Sequence, residues 1–130
     1  MTLTRTTDIF KAAMAIFILG LTAISVSALA EGPEELSLEE TSIEEIMQNP
    51  SGYQGQRVVV EGEIVMECSA GCWFILEDTA GSIYVDLNPN NFAIPRKGGF
   101  EARVYGQVDI KDDEPYILGE IVLIDGEVYR

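Results

Sequence analysis

Polar and apolar side chains alternate along most of the stretch from Arg57 to Leu87, RVVVEGEIVMECSAGCWFILEDTAGSIYVDL. In its first run Arg57, Glu61, Glu63 and Glu67 hold one register, while Val58, Val60, Ile64, Met66 and Cys68 fill the other. A two-residue period belongs to a strand with one buried face; a helix would scatter those glutamates around its circumference. The second strand is predicted from Trp73 to Glu77. Asp78-Thr79-Ala80-Gly81 then turns the chain into a third, Ser82 to Leu87, where Ile83, Val85 and Leu87 alternate with Tyr84 and Asp86. Residues 88 to 99, NPNNFAIPRKGG, hold a break and room for a short helix. A fourth strand follows from Phe100 to Asp109 with Ala102, Val104 and Val108 inward. Asp112-Asp113-Glu114-Pro115 leads into a last strand from Tyr116 to Ile124.

Gly62 and Gly106 fall on the inward register of the first and fourth strands. A glycine there weakens a strand unless the sheet must bend or another backbone must come close, as when one long strand serves both halves of a barrel. Five strands with this spacing and these bend points predict an all-β domain, a five-stranded barrel of the oligonucleotide/oligosaccharide-binding (OB) type, over residues 42–130. A short helix precedes it. Ser42 and Glu45 form a capping box, Ile43, Ile46 and Met47 make one apolar stripe, and Asn49-Pro50 stops it. This helix is expected to plug one end of the barrel. Residues 31–41, EGPEELSLEET, are acidic and poor in apolar side chains, and read as a flexible tether.

Residues 1–30 carry Arg5 and Lys11 ahead of an uncharged apolar run that closes on Ala28-Leu29-Ala30. That is the pattern of an export signal cut after Ala30, and it predicts a periplasmic or extracellular protein. The alternative is an uncleaved membrane anchor, since the run approaches the roughly 20 residues that span a bilayer.

The chain has 22 acids, 8 bases and no histidine, a formal charge of −14. Removing the leader takes Asp8, Arg5 and Lys11 and leaves an excess of acids more negative still. Polyphosphate backbones need clustered Lys and Arg, and only Arg96 and Lys97 are adjacent, so nucleic acid is excluded as an expected partner. Lack of histidine removes Ser-His-Asp and Cys-His nucleophile activation and zinc-hydrolase sites; no phosphate-cradling loop or dinucleotide fingerprint occurs. The expectation is a non-catalytic protein without a resident cofactor.

Three constellations remain. Cys68 and Cys72 flank Ser69-Ala70-Gly71, a three-residue hairpin loop with glycine where a positive φ is wanted. In an exported protein the pair reads as a disulfide that pins the hairpin register, with a redox-active pair or half of a metal site as the alternatives. Next, if Phe74, Leu76, Ile83 and Val85 point inward, Trp73, Ile75, Glu77, Tyr84 and Asp86 share the outward face that OB barrels use as a ligand platform. Aromatic rings beside carboxylates suit a cation or an amine. The competing reading has Trp73 and Tyr84 half-buried under a loop or the amino-terminal helix. Third, Asp109, Asp112, Asp113 and Glu114 gather oxygen atoms for a weakly bound divalent cation such as calcium, although without EF-hand spacing.

The runs VVVEGEIV, FILEDTAGSIYVDL and EARVYGQVDI behind an export signal resemble the bacterial OB-fold (BOF) family of small exported proteins, and the Cys-x3-Cys-Trp hairpin is similar to that of related exported OB-fold domains. The resemblance spans roughly Arg57 to Asp125. It implies a binding module for a small ligand, cation or protein partner, linked to envelope stress, with no established reaction. The rival expectation, from another class, is a thiol-disulfide or metal-handling protein acting through Cys68 and Cys72.

Overall fold

The strand expected from Arg57 runs to Glu67 (β1), in a computed structural model that describes residues 32–130. It is followed by β2 (Trp73–Glu77), β3 (Ser82–Asp86), β4 (Glu101–Lys111), β5 (Glu114–Ile124) and a short β6 (Glu127–Tyr129). The sheet order is β3-β2-β1-β4-β5-β6, and a parallel pairing of β3 with β5 closes the first five strands into a barrel. Only three residue pairs make that closure: Tyr84 with Tyr116, Val85 with Ile117 and Asp86 with Leu118. One long strand pairing with both β2 and β4, and a parallel β3–β5 seam, define an OB-fold barrel.

The alternating residues fill the barrel as expected. Val58, Val60, Ile64, Phe74, Leu76, Ile83, Val85, Leu87, Ala102, Val104 and Val108 share one buried cluster with Ile117, Val122 and Ile124. Gly62 is a point of close approach, since a β-carbon there would lie 2.5 Å from the Glu77 carbonyl oxygen. Gly106 sits beside a register shift in the β4–β5 ladder, the bend that its position implies.

Helix α1 (Ile43–Gln48) starts with the expected capping box: Ser42 Oγ accepts from Glu45 N at 3.1 Å and Glu45 Oε2 accepts from Ser42 N at 3.3 Å. Ile43 and Ile46 join the barrel core. Burying both contributes about 3–6 kcal/mol, which a helix this short needs because an isolated one does not form in water. Met47, expected on the same stripe, is 42% exposed, because the contact face covers only one turn of helix. Asn49 ends α1, and α2 (Pro50–Tyr53) follows at once. Asp78 ties α1 to the barrel. Its Oδ1 accepts the Ala80 and Gly81 amides at 2.8 and 3.0 Å, closing the β2–β3 turn, while Oδ2 accepts the Ile43 amide at 3.3 Å.

Two further expectations change. Met66 is not inward: the β1–β2 register shifts between Ile64 and Met66, so Val65 is an extra residue and every later side chain changes face. Met66, opposite Ile75, is 56% exposed. The segment read as a tether is laid along the outside of the barrel. Glu34–Ser37 form a 3-10 turn that buries Leu36, Glu40 bridges to Val59, and Arg103 donates to the Leu36 and Leu38 carbonyls at 2.7 and 2.9 Å and to Glu61 at 2.9 Å. Val59 on the outward side is consequently buried.

Residues 88–100 contain a 3-10 turn at Asn88–Asn90 and no longer helix. Glu67 clips this loop to the barrel, its carboxylate accepting the Lys97 and Gly98 amides at 2.8 and 3.1 Å. The expected leader and its cut after Ala30 lie outside the described residues. Among the described residues no helix is long and apolar enough to cross a membrane.

Candidate functional site

Strands β2, β3 and β5 place the outward-facing residues in one surface. Pairing Ile75 with Tyr84, and Tyr84 with Tyr116, sets a diagonal row of Trp73, Tyr84 and Tyr116 across three neighbouring strands. The Trp73 and Tyr84 rings stack with centroids 5.4 Å apart and planes 28° from parallel. Such a pair favours the offset arrangement in which one ring's positive edge meets the other's face. Phe74, Leu76, Ile83 and Val85 are buried on the opposite side. Trp73, Ile75 and Asp86 are half-buried, and Tyr84 and Glu77 are exposed. Neither ring lies under α1, which packs at the end of the barrel near Asp78.

A cleft of about 360 Å³ opens beside this row, lined by Tyr84, Asp86, Lys111, Asp112, Glu114 and Tyr116. Lys111 is the one base facing three carboxylates there. Burial first, and then the charge on Asp86, hold the Tyr84 hydroxyl above the usual phenol range; the charges of Cys72 and Cys68 act in the same direction. Tyr116 is raised too, by burial and by Asp109. Both phenols therefore stay neutral at physiological pH and present an uncharged ring face beside Asp86.

The acidic turn does not assemble as an oxygen cage. Asp112 and Asp113 occupy the two central positions of the β4–β5 hairpin, with φ of 53° and 65°, between the paired residues Lys111 and Glu114. That is the mirror-image turn favoured by two-residue hairpins, and aspartate tolerates the positive φ it needs. Asp109 is claimed by its own chain: the Ile110 amide donates to it at 2.8 Å, and Gln54 and Tyr116 donate at 3.4 Å. These donors hold its carboxyl below the usual aspartate range, the Ile110 amide contributing most. Among the described residues no group of three or more Cys, Asp or Glu side chains could hold a metal ion.

A larger groove of about 540 Å³ lies at the other end of the barrel and is lined by Glu40, Glu61, Glu63, Glu77, Asp78 and Glu101. Glu63 stands directly opposite Glu77 on β2 and Glu101 on β4. Like charges so placed cost stability; no ring lines the groove, and the nearby base, Arg103, is already paired with Glu40 and Glu61.

Cys68 and Cys72 flank the expected loop, whose Gly71 has φ of 75°. Both are half-buried free thiols, and their sulfurs lie 2.7 Å apart. Gly71 is pressed against the 88–100 loop: its carbonyl accepts the Ile94 amide at 3.0 Å.

Trp73, Ile75, Glu77, Tyr84 and Asp86 lie together on the β2–β3 face, and Met66, Lys111 and Tyr116, which were not among the expected residues, lie beside it. Tyr116 and Lys111 arrive through the β3–β5 seam and the β4–β5 turn. Strand order alone would have found Tyr116.

The fold and this site together define an OB-fold barrel with an aromatic, acid-edged outer platform. No family model and no curated protein matches the chain. Among solved structures it is similar to asparaginyl-tRNA synthetase from Pyrococcus horikoshii, at 13% identity and a TM-score of 0.54, over 67% of this chain and 23% of that one. It is also similar to the hypothetical protein YgiW from E. coli (22% identity, TM-score 0.49, 68% of this chain and 91% of that one) and to the Stn1-Ten1 complex of S. pombe (16%, 0.48, 68% and 79%). The synthetase match shows a shared fold.

Proposed function

We propose that the protein is a non-catalytic OB-fold binding module, working after export, that takes a small organic cation on the outer face of β2, β3 and β5. The stacked Trp73–Tyr84 pair, with Asp86 and the Tyr116 cleft at its edge, carries the reading. A quaternary or primary ammonium on an aromatic face gains about 0.5–2 kcal/mol, more as water is excluded, and Asp86 supplies the opposite charge. A free amine and a lysine side chain on a protein partner share this chemistry. The chain's charge of −14 supports a cationic ligand over a polyphosphate one. A link to envelope stress is what the BOF resemblance adds.

The chain's single tryptophan lies in the proposed site and makes the test direct. Polyamines and a choline-type quaternary ammonium are titrated while Trp73 emission is followed, with calorimetry on Tyr84→Ala and Asp86→Asn. Saturable quenching that each substitution weakens about tenfold is expected, since one contact of this kind is worth roughly 1.4 kcal/mol. No quenching or heat up to about 10 mM, where a contact worth about 3 kcal/mol would register, refutes the assignment. Intact mass of the protein from the exported fraction tests leader removal separately.

A further inference from the structure

The turn between β1 and β2 is held without help from sulfur. The Cys68 amide donates to the Trp73 carbonyl at 2.9 Å, the Gly71 amide to the Cys68 carbonyl at 2.9 Å, the Leu87 amide to the Cys72 carbonyl at 3.0 Å and the Ile94 amide to the Gly71 carbonyl at 3.0 Å. A bridge across a three-residue loop removes little chain entropy from the unfolded state, so a structural disulfide here has little to add. The two sulfurs are nonetheless brought together, and they remain half-buried, within reach of a small molecule.

We propose that Cys68 and Cys72 form a thiol–disulfide exchange site, Cys68 attacking an incoming disulfide and Cys72 resolving the intermediate, because their sulfurs lie 2.7 Å apart in a turn that needs no bridge. The two thiols are unequal. The neighbouring Cys72 thiol first, and then the backbone amides of Cys72, Ala70 and Gly71, favour the Cys68 thiolate. Its partner is shifted the other way, since Cys72 gives up its hydrogen bond when it ionises first. A thiolate is the nucleophile in exchange, and the more readily ionised sulfur is the attacking one.

The co-reactant is a low-molecular-weight or protein disulfide. The Cys68 thiolate forms a bond to one of its sulfurs, and the other leaves as a thiolate and takes up a proton. Cys72 then loses its proton and attacks Cys68 Sγ, expelling the second sulfur as a thiol once protonated. The substrate gains two electrons and two protons, and the pair ends as an intramolecular disulfide. The site lies at the end of the aromatic platform, close enough for both cysteines to act on Tyr84. The inference does not depend on which ligand the platform takes.

The test equilibrates the reduced full-length protein with mixtures of reduced and oxidised glutathione, quenches with an alkylating reagent and reads intact mass, with Trp73 emission and circular dichroism followed in parallel. Dithiol and disulfide forms should interconvert within the range of the mixtures, both folded. Cys72→Ser, which keeps a hydroxyl donor beside Cys68, should accumulate a glutathione adduct, and Cys68→Ser should do so about tenfold more slowly. A pair that stays oxidised at every ratio, a wild type that forms no internal disulfide, or equal rates in the two variants would overturn the proposal. If either variant fails to fold, the wild-type redox curve decides alone: a single midpoint inside the range supports exchange, and none refutes it.

Discussion

Replacing Gly71 by alanine separates two costs that a glycine in a turn can hide. Gly71 and Gly55 share nearly the same left-handed backbone, with φ of 75° and 81°. Alanine at either position pays the same conformational penalty, about 1–2 kcal/mol. Their surroundings differ. At Gly55 a β-carbon meets nothing within 4 Å, whereas at Gly71 it would overlap the Ile94 carbonyl oxygen and lie 2.9 Å from the carbonyl carbon and 3.0 Å from the amide nitrogen. The 88–100 loop must therefore withdraw. That breaks the Ile94–Gly71 hydrogen bond, about 1 kcal/mol, and partly lifts the buried Ile94 side chain out of the core, about 1–2 kcal/mol more. Gly71→Ala should thus cost roughly 3–5 kcal/mol against 1–2 for Gly55→Ala, so that thermal denaturation by circular dichroism drops roughly 15–30 °C in the first and 5–12 °C in the second. Midpoints within about 3 °C of each other, a difference worth less than 1 kcal/mol, would show that the loop does not press on the turn as described.

Glu63→Lys converts the acidic row Glu77–Glu63–Glu101 into two opposite-charge pairs and should stabilise the protein by about 0.5–1 kcal/mol in urea titration, a gain that ~1 M NaCl removes by screening. Asp78→Ala removes three accepted hydrogen bonds at the β2–β3 turn and the start of α1, and should cost about 1–3 kcal/mol by the same titration. Asp109 has its folded-state pKa depressed, so it adds stability above the unfolded value that is lost as pH falls through the folded one. Asp109→Asn should accordingly flatten the decline in melting temperature below about pH 4, and an unchanged acid limb would refute that assignment.

The barrel was legible because each strand carries its own face code, and β2, β3 and the inward positions of β4 follow it residue by residue. The code fails at Val65. One inserted residue reverses parity without altering composition, and nothing in the run EIVMEC distinguishes a bulge from continued alternation. The sixth strand is different: Asp125-Gly126, both at positive φ, is the two-residue hairpin signal itself, yet the strand expectation stops at Ile124. The docked segment before α1 could not be read locally, because its anchor is Arg103, more than sixty residues away in sequence. The platform was half legible. Period two put Trp73 beside Tyr84, but Tyr116 belongs to it only through barrel closure. The carboxylates from Asp109 to Glu114 are neighbours in sequence, but among the described residues they do not gather into a group of three, which counting them along the chain could not show.

That closure has a mechanical consequence. Three pairs between β3 and β5 are a short clasp on a cylinder whose other walls run for up to eleven residues, so breathing motions should part the molecule there first. Tyr84 and Tyr116 sit on opposite sides of the same gap. Anything gripped between them would latch the cylinder shut, and amide exchange along β3 would slow in step with occupancy.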